Sequence, residues 1–186
     1  SQSTYPEFEA HLEELKKNGC ESLIVDLRDN GGGIMSPAIN IADDFLEKGK
    51  LIVYTEGNSR PREDFFASKK QAGKDLKIAI LINEGSASAS EIVAGAIQDN
   101  DRGVIIGLRS FGKGLVQEQA TLSDGSAIRL TTARYYSPTG RSIQRSYENG
   151  KMDYYMDMYR RFSKGEFMEE DSIQFPDSLK FTTPGG

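Results

Sequence analysis

Apolar positions along the chain change period several times, and each change marks an element. Phe8, Leu12 and Leu15 recur at helical spacing within residues 4–17. Thr4, Pro6 and Glu7 read as a helix start, with a capping threonine and a proline in the first turn. Lys16 and Lys17 close that helix electrostatically, and Gly19 stops it. Leu23-Ile24-Val25-Asp26-Leu27 predicts a first buried strand. A second helix opens at Ser36-Pro37, turns Ile39, Ala42, Phe45 and Leu46 inward, and ends at Gly49. Leu51-Ile52-Val53-Tyr54 predicts another strand. Residues 57–70 are polar, with Arg60, Arg62, Lys69 and Lys70, and predict a loop, a short element and a solvated face.

The most regular stretch begins at Ile78-Ala79-Ile80-Leu81-Ile82, a continuous apolar run of the fully buried kind. It leads through Asn83-Glu84-Gly85-Ser86-Ala87-Ser88 into a helix whose Ile92, Val93, Ala96 and Ile97 share one face. Val104-Ile105-Ile106-Gly107 follows as a further strand. Strands alternating with helices predict an α/β domain with a largely parallel sheet. Residues 116–121 and 127–132, joined by the turn Leu122-Ser123-Asp124-Gly125, predict a β-hairpin. Residues 145–180 change character: Tyr155, Met158, Tyr159 and Phe162 form a helical stripe, which predicts an inserted helix packing on the core. No function attaches to that segment, and no internal repeat is visible.

Composition narrows the classes. At 186 residues the chain is one large domain, or one with part of another. A net charge of −5 argues against a general nucleic-acid binder and against binding to an anionic membrane surface. No apolar run reaches the length of a membrane span, and no signal peptide is visible. The start Ser1-Gln2-Ser3 lacks methionine, so the expectation is a piece of a longer protein whose targeting signal lies elsewhere. Cys20, the single cysteine, excludes an internal disulfide and a cysteine-based metal cluster, and reads as a small apolar filler. His11, the single histidine, lies on the first helix and is expected at the surface. With histidine set aside, lysine is the best remaining base for a serine hydrolase.

Two local features carry candidate chemistry. Ser88 sits where a strand turns into a helix N-terminus, where unpaired N–H groups and the helix dipole favour developing negative charge. Ser88 with Glu91 three residues on is equally a capping box, and the residues alone leave both readings open. Twenty-five residues after Ser88, Lys113 stands between Gly112 and Gly114. Two glycines can draw that lysine against another backbone and partly bury it, and burial eases loss of its charge. A solvated loop lysine is the alternative. The turn Asp29-Asn30-Gly31-Gly32-Gly33 allows close backbone approach, but it lacks the spacing of dinucleotide and P-loop patterns.

Three blocks together resemble the carboxyl-terminal processing (tail-specific) serine peptidases. They are Asp26-Leu27-Arg28-Asp29-Asn30-Gly31-Gly32-Gly33, Gly85-Ser86-Ala87-Ser88-Ala89-Ser90-Glu91-Ile92, and Phe111-Gly112-Lys113-Gly114-Leu115-Val116-Gln117. The likeness extends from about residue 21 to 144. It implies a β/α spiral core like that of crotonases and Clp peptidases. It also implies peptide-bond hydrolysis near protein C-termini, with Ser88 as nucleophile, Lys113 as general base and Gln117 orienting the lysine. The oxyanion hole it implies is the N–H groups of Ala89 and Gly33. No metal or cofactor is implied. To act near neutral pH the lysine needs a depression of about three pKa units, roughly 4 kcal/mol. Asp99, about 16 Å along the helix from Ser88 at 1.5 Å per residue, is assigned a structural role. The family carries a PDZ domain, none is visible here, and strands of the core are expected to be missing at both ends. Residues 1–186 therefore read as an incomplete catalytic domain that can be inactive in isolation. Proteins or peptides with free C-termini are the implied substrates, and an extracytoplasmic, bacterial-envelope location is implied. The alternative is a non-catalytic module of the same fold binding an apolar ligand or a peptide.

Overall fold

A computed structural model gives the architecture and describes residues 1–68, 70–147, 149–168 and 177–186. Lys69, and part of the predicted 145–180 insertion, lie outside the described residues. The first elements are α1 (Thr4–Lys17), β1 (Ser22–Asp26), α2 (Met35–Phe45), β2 (Leu51–Gly57) and β3 (Arg60–Phe66). They are followed by β4 (Lys77–Ile82), α3 (Ala89–Asp99), β5 (Val104–Gly107), β6 (Leu115–Thr121), β7 (Ala127–Tyr136) and α4 (Gly150–Ser163).

The α/β reading and the parallel core hold. β4 is the centre of a three-stranded parallel sheet in the order β1-β4-β5, with Ile24 paired to Ala79 and Ala79 to Val104. Ile78 and Ile80 of β4 are buried with Ile92, Val93, Ala96 and Ile97 of α3, the face that the helical spacing marks. Leu12 of α1 and Ala38, Ala42, Phe45 and Leu46 of α2 complete the same core. β1 is half-buried, where the apolar run predicts full burial. Leu23 and Val25 turn to the core, while Ile24 is 67% exposed. Val104 and Ile106, on β5 across the sheet, share that open face.

A second sheet is antiparallel, in the order β3-β2-β7-β6. The hairpin predicted from residues 116–132 is present, and Leu122 closes it through its N–H to the Ser126 carbonyl at 2.7 Å. β2 belongs to this sheet, and the polar stretch after it is strand β3, paired with β2. Charged strands on a solvated edge lack the apolar alternation that announces a strand.

The helix starts differ in detail from their expectation. Ser3, not Thr4, stands at the N-cap of α1, and the Thr4 hydroxyl takes the N-terminal ammonium at 3.0 Å. His11 is at the surface beside Glu14, as its position on α1 predicts. α4 is present, but Tyr155, Tyr159 and Phe162 of the predicted inward stripe face solvent. The helix turns Arg161 to the protein instead, where ion pairs rather than apolar contacts anchor it.

Candidate active site

The loops after β1 and β4 leave the same end of neighbouring parallel strands, the end where α/β sheets place their ligands. Side chains lock the two loops together. Asn83 accepts the Asp29 N–H at 2.8 Å and donates to the Asp29 carboxylate at 2.9 Å. The fully buried Ser86 hydroxyl donates to the Leu27 carbonyl at 2.7 Å, and the Ser90 hydroxyl donates to the Asn30 carbonyl at 3.0 Å. Two of the three serines in the run are thus committed to holding the turn. Beside it, Arg28 grips Asp26 through two hydrogen bonds and holds that carboxyl down at about 2.

Ser88, between them, is half-buried, with φ 56° and ψ −115°. That combination lies outside the left-handed well that L-residues tolerate. Such strain persists only where the surroundings impose it, and it gathers at functional sites. A strained serine between a strand and a helix is also the arrangement of turns that present nucleophilic serines. The Ser88 hydroxyl stands near the Glu91 N–H in the manner of a capping box. That N–H also bonds Ser88's own carbonyl at 2.9 Å, and the Ser88 side chain makes no N-cap hydrogen bond of its own.

Glu91 does more than cap. Its carboxylate, in a residue only 6% exposed, accepts four hydrogen bonds. One oxygen takes the N–H groups of Ser88 and Lys113, each at 2.8 Å. The other takes the Gly112 N–H and the Ser110 hydroxyl, each at 2.7 Å. Because Ser88 and Lys113 share one acceptor atom, their backbone nitrogens lie no more than twice 2.8 Å apart. The two predicted blocks therefore meet at one buried carboxylate.

The glycines around Lys113 act on the backbone. A Cβ at Gly114 would stand 2.5 Å from the Gln144 nitrogen, and the Gly114 N–H donates to the Gln144 side chain at 2.9 Å. The Lys113 side chain itself is exposed, which corrects the expectation of partial burial. What the glycines bring close is the chain on either side of the lysine. Lys113 and the exposed Gln117 line one pocket of about 280 Å³ with Phe111, Leu115, Tyr147 and Tyr154. Among the described residues no hydrogen bond joins the Ser88 hydroxyl to the Lys113 ammonium.

For the glycine turn, the tight approach is made by Gly32. A Cβ there would stand 2.4 Å from the Ala87 carbonyl oxygen and 2.6 Å from the Ala89 nitrogen. The Gly32 N–H is engaged by the Asn30 side chain at 3.0 Å. Nothing crowds Gly33 within 4 Å. Ala89 is the first residue of α3, where N–H groups have no partner within the helix. Asp99, 1% exposed, accepts from Thr139 and Arg141, which fits its structural assignment.

Peptidase family S41 matches residues 1–152. The chain belongs to that family. A carboxyl-terminal-processing protease of Synechocystis is 41% identical over 145 residues, 78% of this chain and 34% of that protein. A chloroplastic C-terminal processing peptidase of Tetradesmus obliquus is 39% identical over 132 residues, 71% of this chain and 28% of that protein. Among solved structures, a photosystem II D1 C-terminal processing protease is 37% identical with a TM-score of 0.73, covering 77% of this chain and 37% of its own. The chain thus spans about a third of the length of the relatives it matches. The S41 assignment groups this chain with peptidases by family, and the binding-module alternative is not favoured.

No helix among the described residues is long and apolar enough to cross a membrane, and no metal-ligand cluster occurs among them. The sequence reading missed Gly32 and the reach of Glu91. A clue to Gly32 was present in the run of three glycines; Glu91 was hidden by its adequate local role as a cap.

Proposed function

We propose that the S41 chain is the catalytic portion of a serine endopeptidase that cleaves proteins near their C-termini. Ser88 attacks the peptide carbonyl, and Lys113 in its neutral form takes the hydroxyl proton. An acyl-enzyme forms, the proton passes to the leaving amine, and water hydrolyses the ester. Gln117 orients the lysine amine. The N–H groups of Ala89 and Gly33 receive the oxyanion, the Gly32 N–H being taken by the Asn30 side chain. No metal or cofactor takes part. The observation that supports this most is the single Glu91 oxygen that binds both the Ser88 and Lys113 N–H groups at 2.8 Å. The commitment of the Ser86 and Ser90 hydroxyls to backbone carbonyls supports Ser88 over its neighbours.

Selection of free C-termini belongs to the whole protein, with a PDZ domain outside these residues capturing the terminal carboxylate by strand addition. An extracytoplasmic site of action, in the bacterial envelope, fits relatives that include bacterial and chloroplastic processing proteases. The test is a fluorophosphonate reaction of the full-length protein followed by peptide mapping. Stoichiometric label on Ser88, absent in Ser88→Ala, is expected. Label on another serine, or none while peptide hydrolysis proceeds, rules the assignment out.

A further inference from the structure

The pocket beside Lys113 is walled by residues that the catalytic reading does not use. Tyr147 and Tyr154 stack at 4.3 Å, and Phe111 meets Tyr154 edge-on at 6.5 Å. The Arg145 guanidinium lies over both the Phe111 and Tyr154 rings, at 4.3 and 3.9 Å, and pairs with Asp157 at 2.8 Å. These contacts hold the rings in place before any ligand arrives. Gln144, which also lines the pocket, is held by its amide, accepting from the Gly114 N–H and donating to the Arg145 carbonyl.

α4, which carries Tyr154, is fastened to the catalytic loop. Arg161, 2% exposed, bonds Glu166 at 2.8 Å and the carbonyls of Arg109 and Ser110. Burial pushes Glu166 up, but the hydrogen bonds and charges of Arg109 and Arg161 outweigh it and hold the carboxyl below its usual range. At its other end the pocket is tied to the nucleophile turn, because the Phe111 N–H donates to the Ser86 carbonyl at 2.9 Å.

We propose that this pocket is a substrate subsite for one large apolar side chain, aromatic by preference, beside the scissile bond, with Tyr147 and Tyr154 determining the preference. The inference rests on the reading of Ser88 and Lys113 as the reacting pair. Size is consistent with the reading, since about 280 Å³ has room for one large side chain. Wall chemistry supports an apolar occupant, since three rings and Leu115 offer edges and faces for offset or edge-on packing. A basic side chain would find no carboxylate among the residues that line the pocket. An acidic one would hold Lys113 in its charged form and silence the base.

The experiment uses the full-length protein and peptides varied to Ala, Leu, Phe, Glu or Lys at each of three positions on either side of the scissile bond. At one position kcat/KM for Phe is expected to exceed that for Ala by about tenfold or more, with Glu and Lys below Ala. Tyr147→Ala and Tyr154→Ala should each cut that Phe-to-Ala ratio by about tenfold. Met152→Ala, 75% exposed on the same helix, should leave the ratio alone. Tyr147 is 41% exposed, so its variant folds even where Tyr154→Ala does not. An unchanged ratio in a folded tyrosine variant, or no Phe preference in the wild type, overturns the subsite; if Ser88→Ala is inactive in the same assay, the catalytic reading survives. Continued cleavage by Ser88→Ala overturns both.

Discussion

Replacing Glu91 by glutamine removes a charge with little change of shape, and the atoms around the carboxylate dictate the result. One oxygen faces the N–H groups of Ser88 and Lys113, which are donors and nothing else. The other faces the Gly112 N–H and the Ser110 hydroxyl, and only the hydroxyl can reverse its role. The new amide nitrogen therefore turns toward Ser110 and Gly112. Ser110 becomes an acceptor, and the Gly112 N–H is left facing another donor. One orphaned buried donor costs about 1–3 kcal/mol, and loss of charge weakens the surviving bonds, for a total of about 2–5 kcal/mol. That is a large part of the roughly 5–15 kcal/mol that holds a domain folded. At about 2–4 °C per kcal/mol for a chain of this size, the melting midpoint should fall by roughly 5–15 °C. The Gly112–Lys113 segment shifts with the lost bond, and a displacement of about 1 Å can cost ~10²-fold in rate. In the full-length protein, kcat for Glu91→Gln should fall ~10- to 100-fold while KM moves much less. Glu91→Ala, which strands all four donors, should be worse in both respects. Thermal melts and steady-state kinetics check this. A glutamine variant that melts within about 2 °C of wild type, or an alanine variant that melts no lower than the glutamine, refutes the four-bond clamp. A lowered midpoint with unchanged kcat refutes its catalytic share.

Ser88→Gly should abolish peptide hydrolysis and raise the melting midpoint by a few degrees, because glycine accepts φ 56° and relieves strain of about 1–3 kcal/mol at some entropic cost. A lower midpoint would mean that the turn is not strained. Lys113→Ala should lose at least ~10²-fold in rate, whereas His11→Ala should match the wild type, and a large loss in the histidine variant would overturn the lysine mechanism. Asp44 is fully buried, with the Tyr5 hydroxyl donating to it at 3.2 Å. Burial first, then the charges of Glu9 and Asp43 against Lys70 and the Tyr5 hydrogen bond, leave its carboxyl raised to about 6. A raised folded pKa means the native state holds the proton more tightly, so this stabilisation is complete below about pH 4 and is lost as pH rises through 6. Urea unfolding at several pH values should show Asp44→Asn gaining on the wild type by up to about 3 kcal/mol over that window. A gap between the two that does not change with pH would exclude Asp44 as its source.

What the sequence made legible is what local periodicity and close spacing encode. β4 and α3 declare themselves because a fully buried strand is apolar throughout and a helix packed on it repeats every 3.6 residues. β3 did not, because Arg60, Arg62, Glu63 and Asp64 sit on a solvated edge where no alternation is required. The inward face of α4 was misread for a related reason. Spacing shows that Tyr155, Tyr159 and Phe162 share a side of the helix, but not which side the protein covers, and here the ion pairs of Arg161 and Arg145 decide.

The same limit explains the site. A glutamate three residues into a helix has a sufficient local role as a cap, so nothing nearby in sequence signals partners more than twenty residues later. Nor can spacing rank three serines that alternate with alanine. The fold ranks them, because the loop after β1 supplies carbonyls at Leu27 and Asn30 that take up Ser86 and Ser90. The serine left over is the one whose backbone is forced out of the ordinary wells, and its N–H shares a carboxylate oxygen with the lysine loop. Long-range hydrogen bonds therefore convert a run that reads as a serine-rich turn into one half-buried serine whose backbone is tied to that of Lys113 through Glu91.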